Sequence, residues 1–320
     1  MVLNSDDEHI VQRLEKRLGT VHARQRLGIE TAHETDVFGG GISFFHLENW
    51  YSAHTIIRGS LKIAGIYKRA QRNARNIRTV HNQITLSSLP AGLDGLRILH
   101  LSDLHIDMSE DLLARIIQCV STLEYDLCLL TGDYRFRTFG GLETVMQGMR
   151  ELKAVLRGPV YAVLGNHDSI RMLPEMEDLG IHMLMNESRV FASTSNETLH
   201  LTGIDDAHFF GVDNIEKALS DIPLDACTIM LSHTPEVYRK AAHAGVDLLL
   251  CGHTHGGQIC LPGGFPLTLD ARIPRKFGNG PWRYAEMIGY TSPGAGSSIV
   301  DVRINCPPEV TVHRLCRSAQ

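Results

Sequence analysis

Two histidines two residues apart, His253 and His255, follow an apolar run and precede two glycines. The run at residues 247–250 is typical of a buried strand, so both imidazoles are expected where that strand ends. Burying an unpaired polar ring is costly, and imidazole is a common metal ligand. The pair therefore indicates a metal site, and the glycines allow the chain to turn sharply beside it.

Four earlier segments add carboxylates, an amide and further imidazoles, each where a predicted strand ends. Their polar residues are Asp103 with His105, Asp133, Asn166 with His167 and Asp168, and His233. One Asp-x-His pair is a chance event in many chains, but five such segments after five predicted strands are not. In α/β folds the residues beyond the strand ends build the active site. The five segments together predict a metal-dependent catalytic centre.

The elements that would position these residues begin near residue 79. Short apolar strands alternate there with helices, which predicts an α/β domain. The predicted strands are 96–101, 127–131 and 160–164, and the predicted helices are 110–122 and 141–156. We therefore divide the chain into an N-terminal helical extension, residues 1–78, and a catalytic domain, residues 79–320.

These motifs, in this order, resemble the signature of the calcineurin-like metallophosphoesterases. The stretches around His233 and His253, with residues 303–310, are similar to the bacterial YkuE/YaeI-type phosphodiesterases, which include UDP-2,3-diacylglucosamine hydrolases. The resemblance covers roughly residues 80–316. It implies a four-layer α/β sandwich of two facing mixed sheets flanked by helices, here with an N-terminal helical extension.

The resemblance also implies two divalent metal ions and their ligands. Asp103, His105, Asp133 and His255 would hold one ion, and Asp133, Asn166, His233 and His253 the other, with Asp133 bridging them. Mixed nitrogen and oxygen ligands favour Mn, Fe or Zn over Mg or Ca. Such a pair of ions activates a water that attacks phosphorus in line. His167 would donate a proton to the leaving oxygen or hold the phosphate charge, and Asp168 would orient its imidazole.

Four further side chains are candidates for binding the substrate. They are Arg135 and Arg137, which closely follow Asp133, His208 in a loop, and Arg275 in a Pro- and Gly-rich stretch at 261–282. A guanidinium beside the metals could clamp a phosphate with two parallel hydrogen bonds. The alternative for the arginines is an ordinary solvated loop charge.

The segment 50–78 is basic, because seven Lys or Arg and no acid lie between residues 58 and 78. At helical spacing Arg58 and Lys62 share one face, and Ile56 and Ile63 lie on the other. Such a helix can lie on an anionic membrane surface, or it can pack its apolar face on the domain. Both alternatives stay open. Relatives of this type often carry an N-terminal membrane segment, and this basic stretch stands in its place.

The composition is that of a globular protein without a nucleic-acid role. Hydrophobic residues make up 43% and charged residues 21%, and the net charge of −5 gives no basic excess. The seven cysteines contain no C-x-x-C pair and are expected to be reduced core residues. We see no signal peptide and no apolar run of ~18 residues. We therefore expect a cytoplasmic location, with peripheral contact at the inner face of the membrane if the basic segment binds lipid.

The expected reaction is hydrolysis of a phosphodiester or pyrophosphate bond, on a membrane-associated substrate such as UDP-2,3-diacylglucosamine. A soluble nucleotide or cyclic-nucleotide phosphodiesterase is the enzymatic alternative. A non-catalytic scaffold on the same fold is an alternative of another class. Such a scaffold is expected to have lost metal ligands, whereas every ligand position is filled here. The sequence leaves the oligomeric state open.

Overall fold

Two six-stranded sheets pack face to face in the computed structural model, which describes residues 5–38, 51–192 and 196–318. Helices cover the outer face of each sheet, so that the molecule has four layers. This architecture confirms the predicted α/β sandwich of two mixed sheets flanked by helices.

The first sheet consists of β1 (Arg78–Leu86), β2 (Arg97–Leu101), β3 (Leu127–Leu130), β4 (Val160–Ala162), β5 (Ile181–Met183) and β14 (Glu309–Arg317). Their order across the sheet is β1-β14-β2-β3-β4-β5. All neighbours run parallel except β14 and β2, which pair antiparallel. Strand β14 therefore lies inside the sheet, although it comes last among the strands in the chain.

The second sheet consists of β6 (Glu187–Ala192), β7 (Thr198–Gly203), β8 (Thr228–Leu231), β9 (Leu248–Cys251), β12 (Gly280–Tyr284) and β13 (Met287–Thr291). Their order is β12-β13-β9-β8-β7-β6. The four central strands run parallel, and each edge strand is antiparallel to its neighbour. A short ribbon of β10 (Cys260–Leu261) and β11 (Phe265–Pro266) follows β9 along the chain.

Most of the helices lie on the two outer faces. The α-helices of the described residues are α1 (Ser5–Leu18), α2 (Thr20–Phe38), α3 (Tyr51–Ile63), α4 (Tyr67–Ala74), α5 (Glu110–Ser121), α6 (Glu143–Val155), α7 (Leu173–Asp178), α8 (Ile215–Leu219) and α9 (Tyr238–His243). Helices α1, α2, α5, α6 and α7 cover the first sheet, and α8 and α9 cover the second. Helices α5 and α6 fall where the sequence predicted helices.

The strands alternate their side chains between the inner and outer faces. Leu129 of β3 and Leu250 of β9 lie in the core between the sheets. Their neighbours Leu130 and Leu249 face outward, each under the helices of its own sheet. Because both faces of each sheet are covered, the central strands are continuous apolar runs rather than alternating ones.

Helices α1 and α2 share the core of the first sheet. Leu14 and Leu18 of α1 and Leu27 of α2 are buried in one cluster with Leu99 of β2 and Leu130 of β3. The division of the chain at residue 79 stays a prediction. What the packing establishes is that helices before that position contribute to the same hydrophobic core as the strands after it.

The basic segment forms two helices, α3 and α4, separated at Gly65, whose φ is 69°; residue 50, at its start, lies outside the described residues. Ala70 of α4 is buried against Val302, whereas Ile56 and Ile63 of α3 are 62% and 91% exposed. Helix α4 thus packs on the domain, and α3 leaves apolar side chains in solvent. Among the helices of the described ranges, none has the length and apolar character that crossing a membrane requires.

Truncation of Leu14 tests whether α1 belongs to the core of the sandwich. Leu14→Ala leaves a cavity at a fully buried position, so we expect the free energy of unfolding to fall by about 2–5 kcal/mol. Urea denaturation followed by circular dichroism measures it. Val21→Ala, at an exposed position of α2, is the control, with an expected change within about 0.5 kcal/mol. Equal stability of the two variants would show that α1 unfolds independently of the sheets.

Candidate metal centre

Five loops that leave the carboxyl ends of parallel strands meet at one edge of the sandwich. Three follow β2, β3 and β4 of the first sheet, and two follow β8 and β9 of the second. All seven predicted metal ligands lie on these loops and are buried: Asp103, His105, Asp133, Asn166, His233, His253 and His255. The structure therefore brings the whole predicted set to one place.

Most of these residues have a left-handed backbone, which is uncommon outside glycine. The positive φ angles are 51° at Asp103, 43° at His105, 57° at Asp133, 72° at His253 and 49° at His255. Each turns the chain abruptly just after a strand, so that a ligand side chain points toward the other loops. Backbone conformations of this kind cost of order 1–3 kcal/mol each and cluster at functional sites.

Glycines let the loops approach one another closely. A Cβ on Gly132 would lie 2.6 Å from the backbone nitrogen of Gly165, and one on Gly252 would lie 2.2 Å from Asp103 Oδ2. Neither position has room for a side chain. Gly132 and Gly252 therefore each allow two ligand loops to lie in close contact.

The carboxylate of Asp133 is central to the cluster. Its Oδ2 lies 3.3 Å from Nε2 of His233, 3.9 Å from Nε2 of His105 and 4.0 Å from Nε2 of His167. Its Oδ1 accepts a hydrogen bond of 2.9 Å from the backbone N–H of His167. One oxygen is thus held by the loop, and the other faces imidazoles from both sheets.

Two groups of donor atoms flank Asp133. On one side Nε2 of His255 lies 3.1 Å from Nε2 of His105 and 3.4 Å from Oδ1 of Asp103. On the other side Oδ1 of Asn166 lies 2.9 Å from Nε2 of His233 and 2.9 Å from Nδ1 of His253. The two groups contain the residues of the two ligand sets that the family resemblance implied, and their binding of metal stays a prediction.

Carbonyl oxygens fix the tautomers of three of the rings. Nδ1 of His105 donates to the carbonyl of Arg135 at 2.5 Å, and Nδ1 of His233 donates to that of Thr131 at 2.7 Å. Nε2 of His253 donates to the carbonyl of Asp270 at 2.6 Å. The other nitrogen of each ring therefore faces the cluster, where it can bind a metal ion once it carries no proton, as metal-binding histidines require.

The electrostatics show a site that needs positive charge. Burial raises the pKa of Asp103 to about 6. Burial also acts to lower the pKa of His233, but the neighbouring Asp133 outweighs it and raises that pKa to about 10. In return the His233 imidazolium, against the effect of burial, holds the pKa of Asp133 well below its usual range. The proton on His233 thus balances negative charge of the buried carboxylates, which a bound cation would balance instead.

This donor set fits divalent metal ions. Ligand atoms of Asp103, His105 and His255 lie within 4.8 Å of one another, and so do those of Asp103, Asp133 and His233. Carboxylate, amide and imidazole donors together match Mn, Fe or Zn. A third grouping within the same distance joins His208, His253 and Asp270, but Nε2 of His253 is already used by the Asp270 carbonyl.

His167 lies at the border of the cluster. Its ring stands perpendicular to that of His105, with 5.1 Å between the centroids. Its Nδ1 lies 3.2 Å from the hydroxyl of Thr138, a partner that the sequence did not suggest. The imidazole therefore adjoins Asp133 and His105.

The carboxylate of Asp168 binds backbone rather than metal. It accepts hydrogen bonds from the N–H groups of Asp133 at 2.7 Å, Tyr134 at 2.9 Å, Arg135 at 3.2 Å and Gly165 at 2.9 Å. These four bonds join the loops that carry Asp133 and His167. Asp168 therefore positions two ligand loops, and its predicted action on the His167 ring stays a prediction.

The four predicted substrate residues lie in different surroundings. Arg135 is buried, and its guanidinium donates to the carbonyls of Thr138 at 3.2 Å and Gly140 at 3.1 Å, so it holds the loop that carries Thr138. Arg137 is exposed. Arg275 is also exposed and donates to a loop carbonyl at 3.0 Å. Their binding of substrate stays a prediction.

The side chain of His208 lies against the ring of a predicted ligand, His253. Its ring centroid lies 4.1 Å from that of His253, and its Nδ1 lies 2.8 Å from Oε2 of Glu236. Burial opposes the charged form, but the bond to Glu236 raises the pKa of His208 above its usual value.

Arg303 is a site residue that sequence reasoning missed. It is fully buried behind His255, whose carbonyl accepts from Nη1 at 3.1 Å and whose Nδ1 lies 3.2 Å from Nη2. Nη2 also donates to the carbonyl of Pro293 at 2.6 Å. The only signal was its place in the stretch 303–310, which carried the family resemblance.

Comparison with known proteins finds relatives whose amino-acid sequences are similar to this one. YkoQ, a metallophosphoesterase of Bacillus subtilis, is 30% identical over 263 residues, covering 78% of this chain and 94% of that protein. The phosphodiesterase YaeI of Escherichia coli is 29% identical over 235 residues, covering 68% of this chain and 82% of that protein. A transmembrane protein with metallophosphoesterase domain from Danio rerio is 30% identical over 275 residues, or 80% of this chain.

The chain spans 60% of the length of the Danio rerio protein. The solved structure of TT1561 of Thermus thermophilus overlaps 63% of this chain and 90% of that chain, with a TM-score of 0.43 and 13% identity. The sequence profile described as calcineurin-like phosphoesterase matches residues 96–257. That range holds all seven predicted ligands, and this chain belongs to the calcineurin-like phosphoesterase family.

Proposed function

We propose that this chain is a metal-dependent hydrolase that cleaves a phosphodiester or pyrophosphate bond. The observation that carries the proposal is the position of the Asp133 carboxylate between two groups of buried nitrogen and oxygen donors. A carboxylate has two oxygens and can neutralise two nearby cations. When bound, two divalent ions would polarise the phosphoryl group and lower the pKa of the attacking water.

The chain's own residues would hold the two ions at fixed positions. Asp103, His105 and His255 would bind one, Asn166, His233 and His253 the other, and Asp133 both. Because carbonyl oxygens already fix the rings of His105, His233 and His253, little rearrangement is needed on binding. Such preorganisation is the main contribution of a protein to metal-ion catalysis.

His167 would supply the proton for the leaving oxygen. When the ring is protonated on both nitrogens, Nδ1–H donates to the Thr138 hydroxyl and the second proton sits on Nε2, the atom that lies 4.0 Å from Asp133; loss of the Nε2 proton to the leaving oxygen would leave a neutral imidazole. A proton donor beside the metal ligands is near the bond that breaks. The same N–H would also stabilise negative charge on a phosphoryl oxygen.

The substrate that we propose is lipid-linked, such as UDP-2,3-diacylglucosamine, reached at the inner face of a membrane. Helix α3 supports this, because Ile56 and Ile63 are largely exposed on the helix that also carries the cationic Arg58 and Lys62. Exposed apolar side chains with basic neighbours match an anionic lipid surface. The Danio rerio relative is described as a transmembrane protein.

Hydrolysis of three substrates by the Mn-loaded protein tests the reaction. The substrates are a chromogenic phosphodiester, the matching monoester, and UDP-2,3-diacylglucosamine in detergent. We expect turnover of the lipid nucleotide and of the diester, and a decrease in kcat of about 10²- to 10⁴-fold in His167→Gln, which loses the proton donor.

Which of the three substrates are hydrolysed distinguishes the proposed function from its alternatives. Turnover of the diester without the lipid nucleotide would contradict the lipid-linked substrate and favour a soluble nucleotide or cyclic-nucleotide diester. Equal rates in wild type and His167→Gln would contradict the role of His167. No metal-dependent turnover of any substrate, in a protein that binds metal, would contradict the proposed chemistry.

Metal content tests the bridging role of Asp133 without an activity assay. Asp133→Asn keeps the shape of the side chain but removes the charge that two cations would share. We expect it to retain fewer metal ions per chain than wild type after gel filtration, measured by inductively coupled plasma mass spectrometry. Asp221→Asn, an exposed position, is the matched control. The same stoichiometry in both variants would contradict a bridging carboxylate.

Vesicle binding tests the role of α3. Transfer of one isoleucine side chain from water is worth about 1.5–3 kcal/mol, so Ile63→Asp should weaken binding to phosphatidylglycerol-containing vesicles at least about tenfold. Cosedimentation measures the bound fraction. Leu224→Asp, at a fully exposed leucine outside α3, is the control. Equal binding of the two variants, or no binding by wild type, would contradict membrane contact through α3.

A further inference from the structure

Helix α2 turns a row of polar side chains toward the candidate centre. His22, Arg26 and Glu30 recur every fourth residue and therefore lie on one face of the helix. Arg26 is fully buried, and its Nη1 lies 2.8 Å from Oε1 of Glu30. A buried guanidinium is costly unless it is paired and hydrogen-bonded, and Arg26 has further partners on two loops.

One set of partners lies on the loop after β4, which carries Asn166 and His167. Nη2 of Arg26 donates to the carbonyl of Asp168 at 2.9 Å. Glu30 accepts from the hydroxyl of Ser169 at 2.8 Å and from the N–H of Ile170 at 2.7 Å. Three hydrogen bonds from α2 therefore hold the three residues that directly follow His167.

The other set lies on the loop after β7, which carries His208. Nε of Arg26 lies 3.4 Å from Oδ1 of Asp205, and Nε2 of His22 lies 2.9 Å from Oδ2 of the same carboxylate. The guanidinium of Arg26 also stacks 3.2 Å above the ring of Phe210. Against the effect of burial, Arg26 and His22 keep the pKa of Asp205 below its usual value.

These two loops come from different sheets. The loop with His167 belongs to the first sheet and the loop with His208 to the second. A single guanidinium contacts both, through the Asp168 carbonyl on one side and Asp205 with Phe210 on the other. Because its planar fork has fixed geometry, a change in the distance between the loops would break at least one of these contacts.

We infer that Arg26, with Glu30, is a positioning residue that sets the loop of His167 against the loop of His208 across the metal centre. The inference rests on the proposed hydrolase function in so far as His167 acts in the reaction. It assigns a functional task to a helix of the N-terminal extension, which touches the loops but supplies no metal ligand.

Replacement of Arg26 tests this task with two independent measurements. Arg26→Met keeps the length of the side chain but loses the fork, and we expect kcat to fall by about 10- to 100-fold, because small misplacements of catalytic groups have effects of this size. Metal content should stay at the wild-type value. Hydrogen exchange should accelerate at the amide of Ile170 and in residues 205–210, and stay unchanged in β2 and β3.

Arg24→Met is the matched control, because Arg24 lies on the same helix with a side chain that is 70% exposed. It should resemble wild type in both measurements. Arg26→Lys keeps the charge without the fork and should recover only part of the loss. If Arg26→Met fails to fold, Glu30→Gln replaces it, and the exchange of the Ile170 amide remains the readout.

Three results would overturn the inference: kcat within twofold of wild type in Arg26→Met, an equal loss in Arg24→Met, or faster exchange throughout both sheets. The last result would mean general destabilisation. If the wild-type protein hydrolyses no phosphoester, the proposed function fails, whereas the exchange of Ile170 and of residues 205–210 still decides whether Arg26 positions the loops.

Discussion

The burial of two carboxylates where the sheets meet is the constraint on which the site depends. Asp103 and Asp133 are almost completely removed from solvent, and an ionised carboxylate in such surroundings is costly unless it is paired and hydrogen-bonded. Backbone N–H groups of His167 and His253 donate to them, and imidazoles of both sheets face them. The geometry of the strand ends is arranged around these two charges.

The surrounding scaffold explains how this arrangement is maintained. Left-handed backbone at five ligand residues is unfavourable locally and persists only if neighbouring structure determines it. Asp168 joins two of the loops through four backbone N–H groups, and Arg303 holds a third from behind. Both are buried charged side chains that contact backbone, so much of the polar interior serves to fix loop conformation.

Sequence reasoning succeeded where local pattern and chemistry coincide. Apolar runs followed by Asp, Asn or His predicted the strands β2, β3, β4, β8 and β9 and an α/β domain, and they placed the candidate ligands where these strands end. The four-layer sandwich and the division of the ligands into two sets were implied by the family resemblance. The inward orientation of Arg135 and the burial of Arg26 could not be predicted in this way. Both depend on contacts between residues distant in sequence, and an arginine on a helix is normally solvated. The exposure of Ile56 and Ile63 is a similar case, since helical periodicity defines a face but not what covers it.

Strand β14 has a consequence for how the protein is made. It fills the position between β1 and β2, and the segment just before it supports the turn of Asp103, whose carbonyl accepts from the N–H of Gly296 at 2.7 Å. Domains begin to fold while the ribosome is still extending the chain, but here the gap beside β2 stays open until residues 309–317 have emerged. Until then the nascent protein exposes one unpaired edge each of β1 and β2. Binding of a chaperone would therefore be most useful before synthesis is complete.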